Sequence, residues 1–351
     1  MKLNAMCRLC GIAGLFLLSA CAQQAATIEA PATDLFWPAA PETPRIRYLY
    51  ALSQPEDIQI RAGLFRRMAE AFRGSGEKNI HSPYGLARDG QGRLYVVDNF
   101  YQAVHVFDPE NNKYFRFPKQ GLEGFANPVD IALGVNGRIY VSDSVAGRVH
   151  VFSDQGSKYS GSIGAGYLQR PTGLAVSHRT GELLVLDTLA SQLLVFDEGD
   201  LSFKRAVGAP NGESGTAAMF HYPTNVTVAR DGRIYVTDSL NFRIQVLNSD
   251  LDLIGDFGAA GDAPGNFSRP KGIATDSDGH VYVIDALFDN VQIFDDQGGL
   301  LLAFGGPGSM PGQFWLPNAI LIDPDDRIYV SDSYNKRVQV FQYLKNGENA
   351  E

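Results

Sequence analysis

The strongest constraint in this 351-residue chain is internal repetition. Six segments of one pattern follow each other, opening at Pro83, Pro128, Pro171, Pro223, Pro270 and Pro317, at intervals of 45, 43, 52, 47 and 47 residues. Each has an alternating apolar stretch after the proline, a turn, and a second apolar stretch ending in aspartate (Asp98, Asp143, Asp187, Asp238, Asp285, Asp332). A third stretch follows, such as Val104 to Phe107 or Val338 to Phe341. Period-two alternation belongs to strands. Asp89-Gly90, Asn136-Gly137, Thr180-Gly181, Asp231-Gly232 and Asp278-Gly279 place residues tolerant of positive φ at the turns, as tight hairpins require; the sixth unit has Asp325-Asp326 instead. Most units carry a fourth stretch before a glycine-spaced loop, as in Leu253 to Phe267 and Leu302 to Phe314. Four short strands per unit, six times over, is the period of a β-propeller, so the expected fold is all-β with six blades.

The Pro-x-Gly-h-Ala openings, the Asp-Gly-x-h-Tyr-Val-x-Asp centres, the Arg-h-Gln-Val-Phe ends and the Gly-x-x-Gly-x-x-x-Gly-x-Phe connectors resemble NHL repeats from Pro83 to Phe341. Too few residues follow Phe341 for the outermost strand of the sixth blade, whereas Arg45 to Leu52 is strand-like and has no repeat of its own. It is expected to complete that blade and close the ring, leaving no unpaired edge. Ser53 to Ser82 is too short for a seventh blade. The propeller is therefore expected over residues 45–345, with a tail at 346–351. Within it, residues 61–73 read as a short amphipathic helix before blade one. Leu64, Phe65, Met68 and Phe72 lie on one side, and Arg66, Arg67 and Arg73 mostly opposite. Such a helix either packs across one propeller mouth or docks a partner or lipid interface.

Residues 1–20 read as an export signal, with Lys2 and Arg8 before an apolar run from Gly11 to Leu18. Leu18-Ser19-Ala20-Cys21 resembles the lipobox of bacterial lipoproteins, which implies a lipid on the Cys21 thiol and attachment to the membrane through it. Ala22 at the next position implies, by the sorting rule of such proteins, the outer membrane, with the protein facing the periplasm of the bacterial cell envelope. Cys7 and Cys10 lie inside the signal, so a mature chain has no partner for a disulfide with Cys21. Residues 21–44, rich in Ala, Pro, Gln and Thr, are expected to form the anchored cysteine and a flexible linker. The net charge of −9, from 30 basic and 39 acidic residues, becomes more negative once Lys2 and Arg8 are removed. Nucleic acid is thereby disfavoured as a partner.

Function in a propeller concentrates where blades converge on the channel mouth. Around the prolines the sequence places Tyr84, Asp130, Arg170, Tyr222, Asn225, Arg269, Lys271, Trp315 and Asn318, a polar and aromatic rim with several cations. Such a rim suits a protein, peptide or glycan held by stacking and hydrogen bonds. No nucleophile elbow, Cys–His pair, HExxH or phosphate loop occurs in the mature chain, so no catalytic residue is assigned and no cofactor is expected. The leading expectation is an envelope-anchored recognition or scaffold protein. The alternative is a metal-dependent lyase or hydrolase of the central channel. Resemblance to amidating lyases implies zinc on His81 and His221, and resemblance to gluconolactonase-type propellers implies calcium on Asp130 with Asn225 and Asn318; the glutamate such lactonases carry on an inner strand has no counterpart here.

Overall fold

The computed structural model describes residues 35–61, 78–119, 124–135, 137–208 and 219–345. The export signal, Cys21, the helix expected at 61–73 and the tail at 346–351 lie outside the described residues, apart from Arg61 itself. Six antiparallel sheets are arranged as blades, and each repeat supplies its strands from the centre outwards. Blade 1, for instance, comprises Pro83–Arg88, Leu94–Asp98, Ala103–Asp108 and Lys113–Phe117. The innermost strands Pro83–Arg88, Pro128–Leu133, Pro171–Ser177, Pro223–Val228, Pro270–Thr275 and Pro317–Ile322 neighbour one another in a ring. Their proline ends define what is here called the upper face, and the turns that follow them define the lower face.

Ring closure takes the expected route. Ile46–Leu52 pairs antiparallel with Arg337–Tyr343, with Tyr48 opposite Phe341, and so adds the outer strand that blade 6 lacks. The body also begins earlier than the linker expected over 21–44 would allow. Phe36–Trp37 forms a further short strand against Ile46 and Arg47. Trp37 lies 5.9 Å from both Phe304 and Phe341, ring centre to ring centre. A two-residue strand carries no period, which is why composition alone placed these residues in the tether.

Apolar side chains from the facing sheets fill the spaces between blades, and repeated hydroxyls stitch the blades together. Ser142, Thr237 and Ser331, each one residue before the blade aspartate, donate to the carbonyls of Thr172, Lys271 and Tyr84 in the next blade. Thr188, Ser239 and Ser333, one residue after it, donate to the carbonyls of Pro223, Pro270 and Pro83. The bonds to Pro83 and Tyr84 join blade 6 to blade 1.

At the second position after the proline, glycine alternates with larger residues around the ring. A Cβ on Gly85 would come within 2.6 Å of the Asp130 Cα, one on Gly173 within 2.8 Å of the Asn225 Cα, and one on Gly272 within 2.8 Å of the Ile320 nitrogen. Blades 1, 3 and 5 need glycine at this position because the next inner strand passes so close. Asp130, Asn225 and Ala319 are the larger halves of these pairs.

Candidate functional site

The upper face is organised by the six repeated aspartates, all essentially without solvent exposure. Asp98 accepts backbone N–H groups from His81 at 2.7 Å, Ser82 at 3.3 Å, Phe100 at 3.0 Å and Tyr101 at 3.2 Å. It thus pins the loop entering the innermost strand to the loop leaving the second one. Asp143 holds Ala126, Asn127, Val145 and Ala146 in the same way, and Asp285 holds Ser268, Arg269, Leu287 and Phe288. Blades 4 and 6 use a variant. Tyr222 and Leu316 adopt left-handed backbone before their prolines. Asp238 and Asp332 each take one N–H from that loop, of His221 and Trp315, and also receive side chains: Asn241, Arg243 and Gln245 on Asp238, and Asn335, Arg337 and Gln339 on Asp332.

This wiring has a consequence that the rim residues alone do not reveal. Two positions after each aspartate stand Phe100, Val145, Leu189, Leu240, Leu287 and Tyr334, one per blade, between 46% (Leu240) and 73% (Val145) exposed. Where the N–H of that residue turns down to the carboxylate, as at Phe100, Val145 and Leu287, its side chain is directed to solvent. The result is a crown of apolar side chains around the upper mouth. Its aromatic part gathers near the seam of blades 6 and 1. Trp315 lies 5.5 Å from Tyr334, and His81 stacks on Phe100 at 3.8 Å. The sequence signal for the crown is a large apolar residue two places after the aspartate in all six repeats, but constancy among repeats makes it look structural.

The basic part is spread over blades 3 and 5. Arg170 of blade 3 and Arg269 of blade 5 are exposed, and Lys271 at the upper end of the blade 5 inner strand is half-buried. Among the described residues none of the three pairs with a carboxylate. Burial, together with repulsion from Arg269 and Arg170, pushes the Lys271 ammonium down to about 8.

The remaining rim candidates divide. Trp315 belongs to the crown cluster, and Tyr222 is half-buried at the rim. Tyr84 packs on the apolar cluster between blades 1 and 2. The Asn318 amide donates to Ser333 at 3.3 Å. Asp130 is engaged inside the fold. Its carboxylate accepts the N–H groups of Ile131 and Leu174, both at 2.9 Å, stapling blade 2 to blade 3, while burial raises it to about 6.

The central cavity, about 350 Å³, is displaced towards the lower mouth. It is lined mainly by Leu, Ile, Val and Ala side chains of the inner strands, together with Asp130 and Asn225, and ends near Arg88, His178 and Arg230. Zinc or calcium does not fit the residues proposed for it. The His81 Nε2 faces the Lys336 ammonium at 3.2 Å, the Asp130 oxygens already hold backbone N–H groups, and among the described residues no three His, Cys, Asp or Glu side chains converge.

The NHL repeat matches residues 125–152, 220–247 and 314–341, which are segments of blades 2, 4 and 6. The chain is an NHL-repeat propeller. A human relative, the E3 ubiquitin-protein ligase NHLRC1, is 34% identical over 86 residues, which is 24% of this chain and 20% of the relative; the match thus spans about a fifth of that protein. Among solved structures, an auxiliary nutrient binding protein from Bacteroides thetaiotaomicron superposes with a TM-score of 0.59 at 14% identity, covering 77% of this chain and 71% of its own. Virginiamycin B lyase from Staphylococcus aureus gives 0.56 at 14% identity, covering 75% and 95%. At such identities these likenesses show the shared fold. An NHL propeller is a general protein-binding scaffold, and here its repeats set out the upper crown.

Proposed function

We propose that this NHL propeller is a non-enzymatic recognition module that holds a partner on its upper face, anchored in a bacterial envelope through a lipid on Cys21. The observation that carries the reading is the co-location of the six exposed apolar side chains with three cations whose side chains pair with no carboxylate among the described residues. Exposed apolar side chains gathered around one mouth suit an interaction site, and here one recurs in every blade. A stretch of chain before the first described strand separates Cys21 from the body, which suits a domain that stands off a lipid surface while its face stays free. The outer membrane, with the propeller in the periplasm, fits the residue after that cysteine.

The experiment is site-specific photocrosslinking in cells that produce the protein. A photoreactive side chain at Trp315 on the upper face should form a discrete adduct with one envelope component, and one at Arg230 on the lower face should not. Equal labelling from both positions, or none from Trp315, would remove the upper face from the proposal. Separately, loss of membrane fractionation on Cys21→Ser tests the anchor.

A further inference from the structure

The chemistry of the partner can be narrowed, on the understanding that this step rests on the upper-face reading above. We propose that the upper mouth binds an acidic polypeptide segment, seating carboxylates against Arg170, Arg269 and Lys271 and apolar side chains against the crown.

Charge complementarity gives the sign of the partner. The six aspartates of this face point inwards and are occupied by backbone N–H groups and by the Asn, Arg and Gln side chains of their own blades. On the outer strands the arginines are neutralised within the fold: Arg243 by Asp238 and Asp256 at 3.1 and 2.6 Å, Arg337 by Asp332 at 2.7 Å. Arg170, Arg269 and Lys271 escape this pairing among the described residues, although the protein as a whole is acidic with a net charge of −9. Three cations whose side chains pair with no carboxylate among the described residues repel one another, and an incoming carboxylate relieves that repulsion while forming charge-assisted hydrogen bonds. The depressed Lys271 agrees with this, since an anion beside it would restore its ordinary basicity.

The crown gives the class of partner. Val145, Leu189, Leu240 and Leu287 are aliphatic, and the exposed stacking pairs of the crown lie at the seam of blades 6 and 1. Sugar recognition draws on stacking rings and dense polar contacts. Aliphatic side chains are matched by the aliphatic and aromatic side chains of a polypeptide. A lipid surface would also offer apolar and anionic groups. Lys271, however, is half-buried at the end of an inner strand, where a protruding chain segment reaches more readily than a flat layer of headgroups.

The test uses the mature chain carrying Cys21→Ser, so that no lipid intervenes, and measures fluorescence anisotropy with labelled peptides. One peptide alternates glutamate with leucine and tyrosine, and a second has glutamine at every glutamate position. The acidic peptide should bind at least about tenfold more tightly, an advantage that Lys271→Met and the Arg170→Ser/Arg269→Ser pair should each erase and Lys271→Arg should retain. Added salt should weaken only the acidic peptide. Equal binding of the two peptides, or indifference to Lys271→Met, overturns the proposal. If Phe100→Ser/Tyr334→Ser still weakens both peptides in that case, the upper-face reading survives its failure. Flotation with phosphatidylglycerol vesicles that depends on Lys271, without binding of either peptide, overturns the polypeptide in favour of a membrane.

Discussion

The two faces of the propeller are built from the same repeats and treat their charged groups in opposite ways. On the lower face many charged groups close on one another, although Arg230 stays exposed there without a carboxylate among the described residues. Arg88 of blade 1 reaches Asp323 of blade 6 at 2.9 Å, Arg93 meets Asp89 at 2.7 Å, His280 meets Asp276 at 2.8 Å, and Lys345 meets Asp326 at 3.1 Å. The hydroxyls of Tyr95, Tyr282 and Tyr329 donate to Asp89, Asp276 and Asp323 in the same blades. On the upper face the six repeated aspartates turn inwards and Asp289 sits half-buried on the Leu316 N–H, while cations and apolar side chains remain outside. A face that satisfies its own polar groups gains stability and has little left to offer a partner; the upper face has the reverse character. Stability and recognition should therefore be separable by substitution.

The largest effect is expected below. Asp323 accepts the N–H groups of Asp325 and Arg327, the Tyr329 hydroxyl and the Arg88 guanidinium, with no exposure of its own side chain. Asp323→Ala strands these donors and leaves Arg88 without its anion, which should cost about 3–5 kcal/mol of unfolding free energy. Urea titration would read that loss, and peptide binding by the folded fraction should stay unchanged. Weakened binding at full folding would break the separation.

Lys271→Met should move the two properties in opposite directions. An ammonium lowered from 10.5 to about 8 by burial and two arginines is a group that folding disfavours in its charged form. At pH 7 the charged form dominates in both states, so removing it should raise stability by about 1–3 kcal/mol while abolishing preference for the acidic peptide. A lysine retained at a cost to folding fits a role in binding. If thermal unfolding shows the variant to be less stable than the parent, Lys271 is structural and the contrast between the faces loses its main witness.

Much of this was legible in the sequence, and what was not has particular causes. The blade boundaries, the inward aspartates and the closing strand follow from repeats whose contacts are local. Phe36–Trp37 escaped because its strand exists only through pairing with Ile46 and Arg47. Asp130 and Asn225 stood out as departures from the repeat, yet they are the larger members of glycine-matched pairs between inner strands. The crown is hidden in the sequence for the opposite reason, since residues that keep a pattern suggest packing. Departure from a repeat and keeping to it are both ambiguous until the neighbouring blade is seen.

A third, smaller effect concerns pH. Gln245, Gln292 and Gln339 occupy the middle of the third strand in blades 4 to 6, and His105 and His150 take that place in blades 1 and 2. Burial lowers the His105 imidazole below 6.5, against the opposing pull of Asp98. The unfolded chain then binds a proton that the folded one refuses, so stability present above pH 6.5 declines as pH falls below that value. The Asp143 carboxyl is raised by burial but lowered further, to about 2, by the His150 ring 3.6 Å away and by hydrogen bonds from the N–H groups of Ala146, Ala126 and Asn127. Its stabilising contribution, present above pH 3.8, is lost as pH falls towards 2. His105→Gln should flatten the melting temperature between pH 6.5 and 5 and leave the acid limb below pH 4 in place. An unaltered slope between pH 6.5 and 5 would assign that dependence to other groups.

The smallest effect tests the rule that the lower face satisfies itself, at the point where it fails. The repeat places Asp89, Asp276 and Asp323 six residues after the proline to receive a tyrosine hydroxyl, but blade 2 has Gly134 there and blade 4 has Ala229. Blade 2 compensates, since the Tyr140 hydroxyl donates to Glu198 of blade 3 at 3.1 Å. Blade 4 does not, and the buried Tyr235 hydroxyl finds no partner among the described residues. Tyr235→Phe should therefore be neutral or stabilising by up to about 1 kcal/mol, whereas Tyr95→Phe, which strands an acceptor on Asp89, should cost about 1 kcal/mol. Because both changes remove one oxygen from equivalent tyrosines, the sign of their difference in matched urea titrations isolates the hydrogen bond. Equal losses at the two sites would mean that Tyr235 is satisfied after all and that the lower face has no exception.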